Sequence, residues 1–171
     1  FGFEESCGYL KGTYARDKDA VVASMLVCEL ASSLKQDGKT ILDALNELYA
    51  NYGHCLSYVR SVELTGADAM EKAAAMMAAL RTSSPASIGG VAVTLVRDYQ
   101  SSKTRDLKSG VISEITLPKS NVLEFVMGNR GSIIVRPSGT EPKVKYYYTA
   151  IDASQSEAKE LLDRMVAQMT K

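Results

Sequence analysis

Hydrophobic spacing changes once along this chain, near residues 52–56, and the change restricts the folds open to it. Before that point apolar residues recur every three or four positions: Val21, Val22, Met25, Leu26, Leu30 and Leu34, then Leu42, Leu45, Leu48, Tyr49 and Tyr52. That spacing lines one face of a helix. It predicts helices from about Asp17 to Lys35 and from Thr40 to Tyr52, with "DGKT" as the break and Gly53 as the stop. Thr40 and Asp43, three residues apart, read as a cap for the second helix. After the change, short apolar runs take over: "LSYVRSVEL", "GVAVTLVRDY", "NVLEFVMG", "GSIIVRP" and "KVKYYYTAI". Two more helices are expected, "ADAMEKAAAMMAALRT" and a final one from Ser154, which forms a capping box with Glu157.

The second part therefore reads in the order βαββββα, an α+β domain with a mainly antiparallel sheet and helices on one face. The polar stretch "QSSKTRDLKSGVISE" is expected to be a loop or a lightly structured excursion. The first part has two helices and almost no strand to cover them, so it reads as the tail of an α/β domain. Domain boundaries follow at 1–53 and 54–171. The chain opens on "FGFEES", apolar from its first residue and without methionine, which reads as a cut inside a larger protein.

Composition removes some function classes. Of the 171 residues, 20 are basic and 20 acidic, so no overall charge draws the chain to nucleic acid or to an anionic membrane. No apolar run approaches the roughly 18 residues of a membrane span, and "FGFEESCGYL", with no basic region followed by an apolar block, is not expected to act as a secretory signal. Cys7, Cys28 and Cys55 are odd in number and far apart, as expected of reduced thiols in the cytoplasm. His54, the only histidine, has no ligand partner at metal-binding spacing. "GKT" at 38–40 ends like a phosphate loop, but Ser33 stands where the first glycine belongs, and the run joins two helices rather than a strand to a helix.

Three stretches carry chemistry. In "RPSGTEPK", Pro137 fixes one backbone angle, and Gly139 admits a conformation closed to other residues. Successive N–H groups there can form an anion-binding nest, with hydroxyls from Ser138 and Thr140, a guanidinium from Arg136 and a second charge from Lys143. A plain hairpin turn explains the same residues. In "GFEESCGY", Glu4 and Ser6 can exchange hydrogen bonds with sugar hydroxyls; a solvated acidic loop is the alternative. In "ARDKDA", Asp17 and Asp19 suit a helix N-terminus, whereas Arg16 and Lys18 do so only if they face an anion.

Together these stretches resemble the α-D-phosphohexomutase family, in its phosphoglucomutase/phosphomannomutase branch. "GFEESCGYLKGTYARDKDAVVAS" resembles the sugar-binding loop with its basic turn and helix, and "IIVRPSGTEPKVKYYY" resembles the phosphate-binding loop of the C-terminal domain. The resemblance implies four domains round a cleft, the fourth TATA-binding-protein-like, with this chain holding the end of the third and all of the fourth. It implies that Glu4 and Ser6 hold the hexose ring. Lys18 would aid proton transfer or stabilise charge, and Arg136, Ser138, Gly139, Thr140 and Lys143 would anchor the phosphate that is not transferred. The implied reaction interconverts hexose 1-phosphate and hexose 6-phosphate through a phosphoserine, Mg²⁺ and a bisphosphate such as glucose 1,6-bisphosphate. Its implied partners are a phosphosugar substrate and the missing N-terminal domains of the same chain.

This sequence departs from the family pattern in one decisive respect. It has no serine followed by histidine and no D-G-D-x-D metal run, so the chain alone is expected to be inactive. Ala20 also stands where related proteins often carry glycine. Phosphopentomutase or sugar-bisphosphate synthase activity, and a non-catalytic phosphate-binding module, stay open at this stage.

Overall fold

The computed structural model describes residues 1–4 and 7–169, which fall into two units, Phe1–Tyr52 and Gly53–Lys171. In the first, β1 (Gly2–Glu4) pairs antiparallel with β2 (Gly8–Leu10), with Glu4 opposite Gly8. Helix α1 (Ala20–Gln36) starts three residues later than its apolar spacing predicts, because Asp19 is its cap: the carboxylate accepts from the Val21 and Val22 N–H groups. Helix α2 (Ile41–Tyr52) opens on the expected box. The Thr40 N–H donates to Asp43 at 2.8 Å, and the Asp43 N–H donates to the Thr40 hydroxyl at 3.2 Å. Neither helix buries a residue in this chain; Met25 is 59% exposed and Leu42 63%.

The second unit is built on a seven-stranded antiparallel sheet. Its strands are β3 (His54–Glu63), β6 (Leu95–Asp98), β7 (Lys103–Asp106), β8 (Ile112–Glu114), β9 (Leu123–Val126), β10 (Gly131–Pro137) and β11 (Lys143–Asp152). They lie in the order β3-β11-β10-β9-β6-β7-β8. Helix α3 (Ala69–Thr82) follows β3, and α4 (Gln155–Met169) closes the unit from the Ser154–Glu157 box. A small hairpin, β4 (Ser87–Ile88) with β5 (Val91–Ala92), is fastened to α4, where Gln168 and Arg164 bond the Gly89 and Ser87 backbone.

Alternation decides what is buried. Ile133 and Val135 of β10 face the same way as Tyr146 and Tyr148 of β11 and Leu123 and Phe125 of β9, and all six join Met77, Leu161 and Met165 of the helices in one core. Residues of opposite parity line the other face. Arg136 pairs with Lys145 and Lys145 with Ser61; Ile134 pairs with Tyr147 and Glu124.

Two expectations need correction. "QSSKTRDLKSGVISE" is no loop: it supplies β7 and β8, which extend the sheet to its edge. These strands lie beyond the core and are held by ladder hydrogen bonds, so they carry no apolar alternation to be read. "GVAVTLVRDY" is not one strand. It divides at Val93 and Thr94, whose N–H groups turn to Ala86 and Val126, into β5 of the hairpin and β6 of the sheet. The strand count of the βαββββα reading rises accordingly.

Burial sets the expected cost of truncation. Phe125→Ala, at a position with 0% exposure, is expected to destabilise the chain by about 3–5 kcal/mol. Leu42→Ala should change stability by no more than about 0.5 kcal/mol. Urea denaturation of the 171-residue chain checks both, and a large loss at Leu42 would mean that α2 has an apolar partner here.

Candidate functional site

Two clefts gather the residues singled out from sequence, one in each unit. The larger, of about 400 Å³, lies where β10 turns into β11 and is lined by Arg136, Pro137, Ser138, Gly139, Thr140, Glu141, Lys143, Lys145 and Tyr147. All five phosphate-binding candidates are therefore in one place. Arg136 and Lys145 come from directly opposed ladder positions, and Lys143 and Tyr147 lie two residues to either side of Lys145 on the same face. Three cations thus converge on one concavity.

The turn itself differs from the expected nest. The Ser138 N–H donates to Lys143 O at 2.9 Å, and the Lys143 N–H to Glu141 O at 2.7 Å. The Thr140 and Glu141 N–H groups are directed to the Ser138 hydroxyl oxygen, at 3.4 and 3.2 Å. Most of the loop's backbone donors are thus used within it. Among the described residues, neither the Gly139 N–H nor the Arg136 guanidinium has a hydrogen-bond partner. Gly139 is not at positive φ, contrary to the reading of its sequence position, and a Cβ there would meet nothing within 4 Å. Neither backbone strain nor packing inside the chain requires glycine; its effect is to leave open space at the cleft lining.

One acidic group shares the cleft. Lys143 Nζ lies 2.6 Å from Glu141 Oε2, and this bond holds the Glu141 carboxyl below its usual range. Lys145 and Tyr147 were not singled out from sequence. The signal was the period of two: in a strand that buries Val144, Tyr146 and Tyr148, the residues between them must face the other way.

In the first unit, Glu4 and Lys18 meet in a cleft of about 270 Å³ with Tyr9, Arg16 and Asp17 in its lining. Lys18 Nζ is 3.1 Å from Glu4 Oε1 and 3.2 Å from Asp17 Oδ1. Hydrogen bonds to Glu4 and then Asp17 raise the Lys18 ammonium above the ordinary lysine range, so it stays charged at neutral pH. Ser6 lies outside the described residues. Gly8 makes the pairing possible: a Cβ there would overlap the Lys18 side chain and lie 2.6 Å from Glu4 Oε1. Among the described residues no group of three or more His, Cys, Asp or Glu converges as a metal site.

Gly8→Ala should displace the flexible lysine rather than unfold the hairpin. The Lys18 pKa is then expected to fall towards its ordinary value, as read from the ε-carbon NMR shift during a pH titration. An unchanged titration in the folded variant would show that Glu4 and Lys18 are not paired.

Comparison with known proteins gives one answer along the chain. Residues 62–168 match the family model described as phosphoglucomutase/phosphomannomutase, C-terminal domain, and residues 1–52 match that of the alpha/beta/alpha domain III. A phosphoglucomutase of Staphylococcus aureus is 42% identical over 147 residues, covering 86% of this chain and 26% of that protein. A phosphoglucomutase of Staphylococcus epidermidis is 37% identical over 147 residues, 86% of this chain and 27% of its own. The chain thus spans about a quarter of the length of these relatives. Among solved structures, the open form of pp63/parafusin, an exocytosis-sensitive phosphoprotein and phosphoglucomutase from Paramecium, superposes with a TM-score of 0.54. That match has 14% identity and covers 91% of this chain and 26% of that one, a likeness of fold. The α+β architecture, with a TATA-binding-protein-like second unit, follows from these matches, and the chain belongs to the phosphoglucomutase/phosphomannomutase family.

Proposed function

We propose that this chain is part of a phosphohexomutase that interconverts hexose 1-phosphate and hexose 6-phosphate through a phosphoserine and a bisphosphate intermediate. Residues 1–53 are the end of its third domain and 54–171 its fourth. The observation that carries the reading is the convergence of Arg136, Lys143 and Lys145 on the cleft that Ser138, Gly139 and Thr140 also line. One carboxylate, Glu141, stands against three cations, so the cleft favours a dianion. The planar Arg136 fork suits two phosphate oxygens, and the lysines add point charges. Holding the phosphate that does not react fixes the sugar relative to the phosphoryl donor, so this part of the catalysis is positional.

Glu4 would accept hydrogen bonds from ring hydroxyls, as would Ser6. Lys18, kept cationic by its two carboxylate neighbours, suits charge stabilisation at the reacting oxygen better than removal of a proton. The described residues form no Mg²⁺ ligand set. The phosphoserine of the family reaction has no counterpart of its Ser-His pattern in this sequence. The chain is accordingly a binding portion, inactive alone, that works with further domains of the same protein. Uncovered apolar faces on α1 and α2 are in keeping with such domains. No described helix is long and apolar enough to cross a membrane, and the three cysteines are free, in keeping with a cytoplasmic enzyme.

Two substitutions test the cleft in the full-length protein, with glucose 1-phosphate as substrate. Arg136→Ala removes a charge-assisted contact and is expected to weaken phosphosugar affinity by about 1.5–3 kcal/mol, roughly 10- to 150-fold. Glu141→Gln frees Lys143 and should tighten affinity by about two- to fivefold. Unchanged kinetics in Arg136→Ala would overturn the assignment of the cleft. Brisk ribose 1-phosphate turnover with background glucose 1-phosphate turnover would overturn the choice of hexose.

A further inference from the structure

We infer that Tyr14 is a positioning residue, whose hydroxyl latches the loop before α1 onto Asp19 and so holds Lys18 against Glu4. The inference rests on the reading of Lys18 as part of the site and deepens it, since it names what fixes that lysine in place.

Lys18 is the last residue but one of a stretch, residues 11–19, that has no helix or strand of its own. A long side chain on such a loop would ordinarily sample many positions. Here the residue next to it is a node of three attachments. The Asp19 N–H donates to Tyr9 O at 2.8 Å, which ties the loop to β2, the strand opposite Glu4. Asp19 Oδ1 accepts from Val21 N at 2.9 Å and Val22 N at 3.2 Å, which ties it to α1. The second carboxylate oxygen, Oδ2, is left for the loop itself and accepts the Tyr14 hydroxyl.

The Tyr14 ring is 68% exposed, so the residue contributes a hydrogen bond far more than it contributes packing. Removing the hydroxyl therefore loosens the loop without opening a cavity. The latch also tolerates a wide pH range. The Asp19 hydrogen bond raises the Tyr14 phenol above its ordinary value, and the Tyr14 hydrogen bond lowers the Asp19 carboxyl. It is thus lost only as pH rises through the raised phenol pKa or falls through the depressed carboxyl pKa. Tyr14 acts through Lys18 and need touch no substrate.

A double-mutant cycle in the full-length enzyme, with Tyr14→Phe and Lys18→Met, tests this. Tyr14→Phe is expected to lower kcat about tenfold while KM stays within about twofold. Its effect should vanish in the Lys18→Met background, because a latch has nothing to position once the lysine is gone. Alongside, the Lys18 pKa in the 171-residue chain should fall towards its ordinary value in Tyr14→Phe. Unchanged kcat in Tyr14→Phe, or losses that multiply in the double variant, would overturn the latch even if Lys18→Met is impaired. Unchanged kcat in Lys18→Met would instead overturn the site reading, and the Lys18 titration would then decide the latch alone: no shift in Tyr14→Phe sinks it.

Discussion

The register between β10 and β11 is the constraint on which the second unit depends. From Gly131 opposite Ala150 to Pro137 opposite Val144, the ladder sets Ile133 and Val135 with Tyr146 and Tyr148 on the buried face. The same ladder sets Arg136 beside Lys145 on the other. A slip of one residue would exchange the two sets, burying cations and exposing the core. Gly131 helps pin that register. It sits at φ +120°, and a Cβ there would collide with the Thr149 carbonyl across the ladder, so the hairpin closes to this spacing only with glycine. The proposed phosphate cleft is thus a by-product of core packing: the apolar residues choose the register, and the register delivers the charges.

The first unit works by a different economy. Its helices bury nothing within the chain, so local hydrogen bonds must place its functional groups. Asp19 links hairpin, helix and loop through one backbone N–H and two carboxylate oxygens, and Gly8 leaves the space in which Glu4 and Lys18 meet. Most of these bonds lie at the surface, where each contributes modestly. Precision here comes from their sharing one residue. That makes the Glu4–Lys18 pair more sensitive to small changes nearby than the cleft of the second unit, which has a rigid sheet behind it.

Sequence reasoning reached what local rules govern. Thr40–Asp43 and Ser154–Glu157 are capping patterns complete within four residues, and both form as read. The strands β10 and β11 showed themselves through apolar runs. Lys103–Asp106 and Ile112–Glu114 did not, because strands at the margin of the sheet, outside the core, need no apolar side chains. The meeting of Glu4 with Lys18, fourteen positions apart, depends on the hairpin pairing and on Gly8, and no spacing rule reports it. Lys145 and Tyr147 were hidden by their buried neighbours in "KVKYYYTAI". Gly139 was read for a backbone angle it does not adopt; its openness becomes visible only when the space around it is known.

The most direct test of the central claim, that the turn after β10 holds a phosphate, is an NMR titration of this chain with glucose 1,6-bisphosphate. Saturable amide shifts centred on Ser138, Gly139 and Thr140 are expected, with matching changes at the Arg136 guanidinium. Shifts that stay absent at millimolar ligand, in this chain and again in the full-length protein, would contradict the claim and leave "RPSGTEPK" as a turn alone.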